Sequence, residues 1–128
     1  MGTEIKGKLF GILGLGRIGN RVAQIASLGF GAHVAYWSHK RKTDAEKHGC
    51  VRYMDANKVI ATSQILSLHM GYNPQTEKFF NSKRIQLILP GAIIINTAPM
   101  ELFDIDALEK RLKKNDITFI LDHSDELP

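Results

Sequence analysis

Cysteine is nearly absent from this 128-residue chain: Cys50 stands alone, so no disulfide can close within it. A reducing, cytoplasmic setting is therefore the expectation. Cys50 follows Gly49 with no neighbour that would activate it, and reads as a small half-buried residue rather than a working thiol. Long apolar runs are missing too; none approaches the roughly 18 residues of a bilayer span. The opening Met1-Gly2-Thr3-Glu4-Ile5-Lys6 carries no apolar signal segment, and Lys6 spoils a myristoylation pattern. No membrane partner is expected. The five histidines, His33, His39, His48, His69 and His123, include no pair at ligand spacing on a shared helix, so no metal is expected. Internal repeats and low-complexity linkers are absent as well. The net charge of +4 and pI near 9.3 suit an anionic small ligand as well as a nucleic acid, and nothing else in the chain favours the latter.

What is present is a regular alternation of short apolar runs with amphipathic stretches, which means βαβ units and a parallel sheet. The pattern predicts strands over 9–13, 34–37, 51–53, 65–68, 92–96 and 118–121, and helices over 17–28, 44–48, 56–61, 82–89 and 106–114. Ala92-Ile93-Ile94-Ile95 is apolar on both faces, as a strand covered on both sides requires. Asp106 with Glu109 three positions on resembles a capping box for the last helix. Lys110-Arg111 and Lys113-Lys114 read as its solvated basic end. At 44% hydrophobic, the chain has material for one core, so the expectation is a single three-layer α/β domain over 1–128 with a doubly wound parallel sheet.

The most specific local signal is Gly14-Leu15-Gly16-Arg17-Ile18-Gly19, directly after the first strand and opening the first helix. Gly14 permits the tight turn, Gly16 lets a pyrophosphate approach the backbone, and Gly19 lets the helix lie close to the strand. The helix N-terminus then faces the anion with free N–H groups. Such a loop belongs to Rossmann-type dinucleotide-binding domains, and NAD(P) is the expected ligand. At the end of the second strand, where NAD-binding domains hold an acid for the ribose 2′-hydroxyl, the residue is Ser38. It is followed by His39, Lys40, Arg41 and Lys42, donors that suit a 2′-phosphate and favour NADP over NAD; the alternative is a solvated basic turn. His69, ending the fourth strand, falls on the ligand side and reads as cleft lining. Tyr36 and Trp37 read as packing for the second strand, with stacking near the adenine as the alternative.

From Gly7 to Pro128 the order of motifs resembles the D-isomer-specific 2-hydroxy-acid dehydrogenases. Beside the glycine loop, the resemblance is carried by Ser67-Leu68-His69 leading to Asn73-Pro74-Gln75-Thr76, by Pro90-Gly91-Ala92-Ile93-Ile94-Ile95-Asn96-Thr97-Ala98, and by Leu121-Asp122. It implies that Arg17 and Ile18 contact the pyrophosphate, that Thr76, Thr97 and Ala98 line the cofactor cleft, and that Asp122 touches the nicotinamide end. It also implies a hydride exchanged with a small 2-keto or 2-hydroxy acid in the complete enzyme, and a possible homodimer. Three departures concern catalysis. Pro99 stands where the family places a carboxylate-binding arginine, and Leu127 precedes Pro128 where the family has a glutamate, with Glu126 one position off. The family's proton-exchanging histidine lies beyond the matched stretch, as does its substrate domain. No catalytic residue is therefore assigned, and whether the chain is an enzyme stays open. Gly71 replaces a usual proline, a smaller departure. A non-catalytic dinucleotide-binding or sensing module is the alternative function. A nucleotide-fold enzyme of another kind, such as a methyltransferase, fits the Asn96-Thr97-Ala98 match poorly.

Overall fold

A computed structural model describes residues 8–47 and 51–121. Its six strands are β1 (Leu9–Leu13), β2 (His33–Trp37), β3 (Arg52–Tyr53), β4 (Ile65–Leu68), β5 (Ile93–Asn96) and β6 (Thr118–Leu121), all parallel, in the spatial order β3-β2-β1-β4-β5-β6. That is the doubly wound order, in which the chain moves outward one way from β1 and then returns to build outward from β4. Each parallel step needs a crossover, which α1 (Arg17–Gln24), α2 (Thr43–Lys47), α3 (Ala56–Thr62), α4 (Ser82–Leu87) and α5 (Ile105–Lys113) supply.

Two cores result, one on each face of the sheet. Phe10, Ile12, Val34 and Tyr36 pack with Ala23 and Ala26 on the α1 side. Leu13, Leu66, Leu68 and Ile94 pack with residues of α3, α4 and α5 on the other. Gly11 belongs to this packing: a Cβ there would lie within 3 Å of the Ser63 and Val59 side chains, so α3 can settle on β1 only over a glycine. Among the described residues no helix is long and apolar enough to cross a membrane.

The strands fall where the sequence puts them, within a residue, and the helices depart in instructive ways. The helix expected over 17–28 is α-helical only to Gln24 and continues as a π-helical stretch, Ile25–Gly29, which keeps Ala26 buried while Leu28 stands 75% exposed. The helix expected to reach 89 stops at Leu87, because Pro90 disfavours helical backbone before it and Ile88 already has ψ 128°. The last helix begins earlier than its expected capping box: Asp104, not Asp106, is the N-cap, its carboxylate accepting from the Ala107 N–H at 3.2 Å. The helix expected over 44–48 is seen as Thr43–Lys47, and His48 lies outside the described residues.

Two burial expectations are also corrected. Arg111 is not part of a solvated end; it is 6% exposed, donates to the Ile85 and Ile88 carbonyls at 2.8 and 2.6 Å, and pairs with Asp116 at 2.9 Å. The guanidinium thus adds a second donor to the Ile85 carbonyl, which already accepts from the Ile88 N–H at 3.2 Å, and donates to the Ile88 carbonyl just past the end of α4. Ile93 is not covered on both sides but 38% exposed, as is Ile120 at 47%, because the helices that follow β4 and β5 all pack on the opposite face.

Candidate dinucleotide site

The sheet order reverses between β1 and β4, and open α/β sheets bind ligands outside the strand ends at such a point. A cleft of about 570 Å³ opens there. Its floor is the glycine loop. Gly14 has φ +93°, a left-handed conformation, and its N–H donates to the Trp37 carbonyl at 2.8 Å, tying the loop to the end of β2. Under the loop, a Cβ on Gly19 would sit 2.4 Å from the Gly14 carbonyl oxygen, so α1 can approach the strand only through a glycine. On top, a Cβ on Gly16 would meet nothing within 4 Å: that side of the loop faces open cleft. Helices α3, α4 and α5 are capped by the side chains of Asp55, Asn81 and Asp104. The N-cap of α1 is Gly16, with no side-chain cap and no acid in the first turn. Its first N–H groups are left for an anion, with the positive end of the helix dipole behind them.

One wall comes from the turn after β2. Ser38, His39, Lys40 and Lys42 line the cleft. Ser38 is 6% exposed, and its hydroxyl donates to the Lys40 carbonyl at 2.5 Å, so it shapes the turn. Arg41 points elsewhere. Its Nε and Nη2 donate to the two oxygens of Glu46 at 2.9 and 2.8 Å, and its guanidinium lies 5.0 Å from the centre of the Tyr53 ring. The opposite wall follows β4. Thr76 lines the cleft and is held by its own hydroxyl, which donates to the Gly71 carbonyl at 2.9 Å and accepts from the Asn73 N–H at 2.8 Å. The Asn73 side chain closes the turn by accepting from the Gln75 and Thr76 N–H groups.

His69 stands between the walls, and its protonation follows from its neighbours. Thr97 Oγ1 donates to the Leu68 carbonyl at 2.6 Å, which spends its one hydrogen, so it accepts from His69 Nδ1 at 3.2 Å. His69 Nε2 is then the acceptor for the Ser67 hydroxyl at 2.7 Å. Burial pushes the imidazole below its ordinary pKa of 6.5, and the ring is neutral at physiological pH.

The structure thus brings Gly14, Gly16, Ser38, His39, Lys40, His69 and Thr76 to one cleft, with Gly19 beneath its floor. Arg17 and Ile18 lie beside it on the outer surface of α1, where Ile18 is 68% exposed. Thr97 reaches the cleft only through His69, and Ala98 is buried, its N–H held by the Asn96 side chain at 3.0 Å. Asp122, His123, Glu126, Leu127 and Cys50 fall outside the described residues. Pro99 begins a 3₁₀ turn, Met100–Leu102, and offers no donor to a carboxylate.

Phe79 and Arg84 line the cleft without any signal in the sequence, and Trp37, read there as strand packing with adenine stacking as the alternative, lines it beside them. Trp37 and Phe79 stack at 5.3 Å, and Arg84 lies 4.2 Å from the Phe79 ring centre while donating to Asn57 Oδ1 and the Phe79 carbonyl. Strand alternation separates the two aromatic neighbours: Tyr36 is fully buried while Trp37 turns to the cleft. No spacing rule could have paired Trp37 with Phe79, which meet only through the fold.

A family model for the D-isomer specific 2-hydroxyacid dehydrogenase NAD-binding domain matches residues 1–128. The chain belongs to this family. It is the family's NAD-binding domain, and the cleft fits a nicotinamide dinucleotide: an open glycine loop, an uncapped helix start and a cationic wall. Glyoxylate reductase of Thermococcus litoralis is 38% identical over 114 residues, covering 89% of this chain and 34% of that enzyme. The Aeropyrum pernix glyoxylate reductase is 36% identical over the same shares. Among solved structures, the NAD-complexed D-isomer specific 2-hydroxyacid dehydrogenase of Lactobacillus delbrueckii ssp. bulgaricus superposes with a TM-score of 0.85 at 32% identity, over 95% of this chain and 37% of that one. D-lactate dehydrogenase of Aquifex aeolicus, complexed with NAD and lactic acid, gives 0.83 at 32% identity, over 90% and 34%. The chain spans about a third of the length of the relatives it matches.

Proposed function

We propose that this domain binds NADP(H) in preference to NAD(H), with the pyrophosphate over Gly14–Gly19 and the 2′-phosphate against Lys40 and Lys42. The observation that carries the preference is the wall after β2, where no carboxylate lines the cleft and two lysines do. A carboxylate there would accept hydrogen bonds from a ribose diol and repel a phosphate; ammonium groups do the reverse. Arg41, a natural candidate from the sequence, is committed to Glu46, so the phosphate falls to the lysines on either side of it. In a complete enzyme the dinucleotide would supply or accept a hydride at its nicotinamide C4, exchanged with a small 2-keto or 2-hydroxy acid, while this domain binds and orients it. His69 and Thr76 line the same cleft, with Thr97 bonded to His69 behind it. Pro99 itself offers no donor to a substrate carboxylate, and positioning of this kind accounts for about 7–11 kcal/mol of such barriers. The chain alone is expected to bind the cofactor and not to turn over glyoxylate, hydroxypyruvate or pyruvate.

Titration calorimetry with NADPH and NADH tests the preference. Charge-assisted contacts are worth about 1.5–3 kcal/mol each, so NADPH should bind at least about tenfold more tightly, and Lys40→Ala with Lys42→Ala should erase the difference. Equal affinities in the unmodified chain would overturn it.

A further inference from the structure

Four residues in succession after β2, His39 to Lys42, carry basic side chains, yet they do not all face one way. The arrangement is enforced from behind. Tyr36 is fully buried in β2, and its hydroxyl uses both of its capacities: it donates to Glu46 Oε2 at 2.6 Å and accepts from the Lys42 N–H at 2.7 Å. Glu46, on α2, takes a two-pronged contact from Arg41 in addition. Ser38 ties the Lys40 carbonyl from the other side. The turn is thus pinned at Lys40, Arg41 and Lys42 by three separate contacts.

We propose that Tyr36, Arg41 and Glu46 are positioning residues for cofactor selection, a knot that turns Arg41 away and presents Lys40 and Lys42 to the 2′-phosphate. The proposal rests on the NADP preference argued above and names what sets it. Within the knot the Glu46 charge is balanced by Arg41, whereas neither Lys40 nor Lys42 is ion-paired among the described residues. The positive charge left over is therefore the part that meets the cleft. Unpinned, a turn of adjacent cations would spread by mutual repulsion, and two lysines with four-carbon stems would no longer converge on one phosphate. NADH, which lacks that phosphate, would not register the change. Selectivity and plain stability therefore part company at this knot.

The test is calorimetry of NADPH and NADH with the unmodified chain, Tyr36→Phe, Arg41→Gln and the double variant. Tyr36→Phe should weaken NADPH about fivefold, the equivalent of one hydrogen bond, and leave NADH nearly unchanged. Arg41→Gln should act the same way, and the double variant should lose no more than the weaker single one, since both cut the same knot. Additive losses would mean that Arg41 meets the phosphate itself, and would overturn the proposal. So would equal weakening of both cofactors, which marks a merely structural role, or an unchanged ratio in either variant. Should Tyr36→Phe fail to fold, Glu46→Gln decides, because it releases Arg41 with its charge intact: a selective weakening of NADPH supports the knot, and an unchanged or raised preference for NADPH means that Arg41 meets the phosphate itself and overturns it. If the unmodified chain does not prefer NADPH, the cofactor preference itself falls and the knot with it; if it does and the variants keep that preference, the knot alone falls.

Discussion

The turns after β1 and β2 lie side by side at one end of the sheet, joined by the Gly14 N–H to Trp37 carbonyl bond at 2.8 Å, and both face the same cleft. The first works by lacking side chains. Gly16 leaves space, Gly19 allows contact and α1 starts without a cap. The second works through side chains whose directions depend on residues elsewhere: Tyr36 in the core, Glu46 on α2, Tyr53 on β3. A site made of backbone can be recognised in a sequence, because glycine spacing is the geometry. A site made of paired charges cannot, because the partners are chosen by the fold.

The sharpest way to break the first turn is to separate its two tasks. A valine at position 19 would place a methine carbon 2.4 Å from the Gly14 carbonyl oxygen, and overpacking of this kind costs roughly 1–3 kcal/mol or more. Gly19→Val should therefore melt well below the unmodified chain, or not fold. Gly16→Val, pointing into open space, should melt within the ordinary range of surface substitutions, about 0.5 kcal/mol, while losing the dinucleotide. Circular dichroism melts with and without ligand would distinguish the two. Loss of fold in both would contradict the division of labour.

The second turn should yield to charge. Ser38→Asp puts a carboxylate at the end of β2, beside the lysine wall, and should reverse the preference from NADPH to NADH by about tenfold or more. Fluorescence titration of both reduced cofactors measures it; an unchanged ratio would mean the ribose does not lie there.

A smaller effect should appear in the pH dependence of stability, and it belongs to the second turn only. The Arg41 contact, helped by the Tyr36 hydroxyl, holds the Glu46 carboxyl at about 2 against an ordinary 4.5. The stability this carboxylate adds is complete above 4.5 and is lost as pH falls from there towards 2. Burial first, and then the bond to Glu46, raise the Tyr36 hydroxyl from 10.0 to about 12, so its contribution is full below 10.0 and disappears as pH rises towards 12. Melting temperatures across both ranges should fall at the two extremes, and Tyr36→Phe should flatten the alkaline limb. An alkaline limb unchanged by that substitution would mean the hydroxyl is not held as described.

The same contrast explains how much of the molecule was legible. Strand positions and the doubly wound order followed from short apolar runs and the glycine loop, because period and spacing are local properties. Ile93 misleads because an apolar run reports hydrophobicity on both faces and cannot report where the crossovers fall; here Ile95 on the same face packs against the α1-side core while Ile93 stays exposed. Arg111 misled because a basic residue near a helix end ordinarily meets water, and only the approach of α4 makes it a donor to buried carbonyls. Asp104 was overlooked as a cap because Asp106 and Glu109 offered the familiar spacing two residues later. In the cleft, the positions of Gly14, Gly16 and Thr76 are legible from motif and resemblance, whereas the pairing of Arg41 with Glu46, which leaves Lys40 and Lys42 lining the cleft, has no signature in the sequence.

Dinucleotide binding over the glycine loop is the claim on which the rest depends, and thermal unfolding with added NADPH or NADH measures it most directly. At about 100 times its dissociation constant a bound ligand adds roughly 2.7 kcal/mol, so the melting temperature should rise by several degrees for the unmodified chain and not at all for Gly16→Val. A melting curve unmoved by millimolar NADPH and NADH, or a Gly16→Val variant stabilised as much as the unmodified chain, would contradict the account.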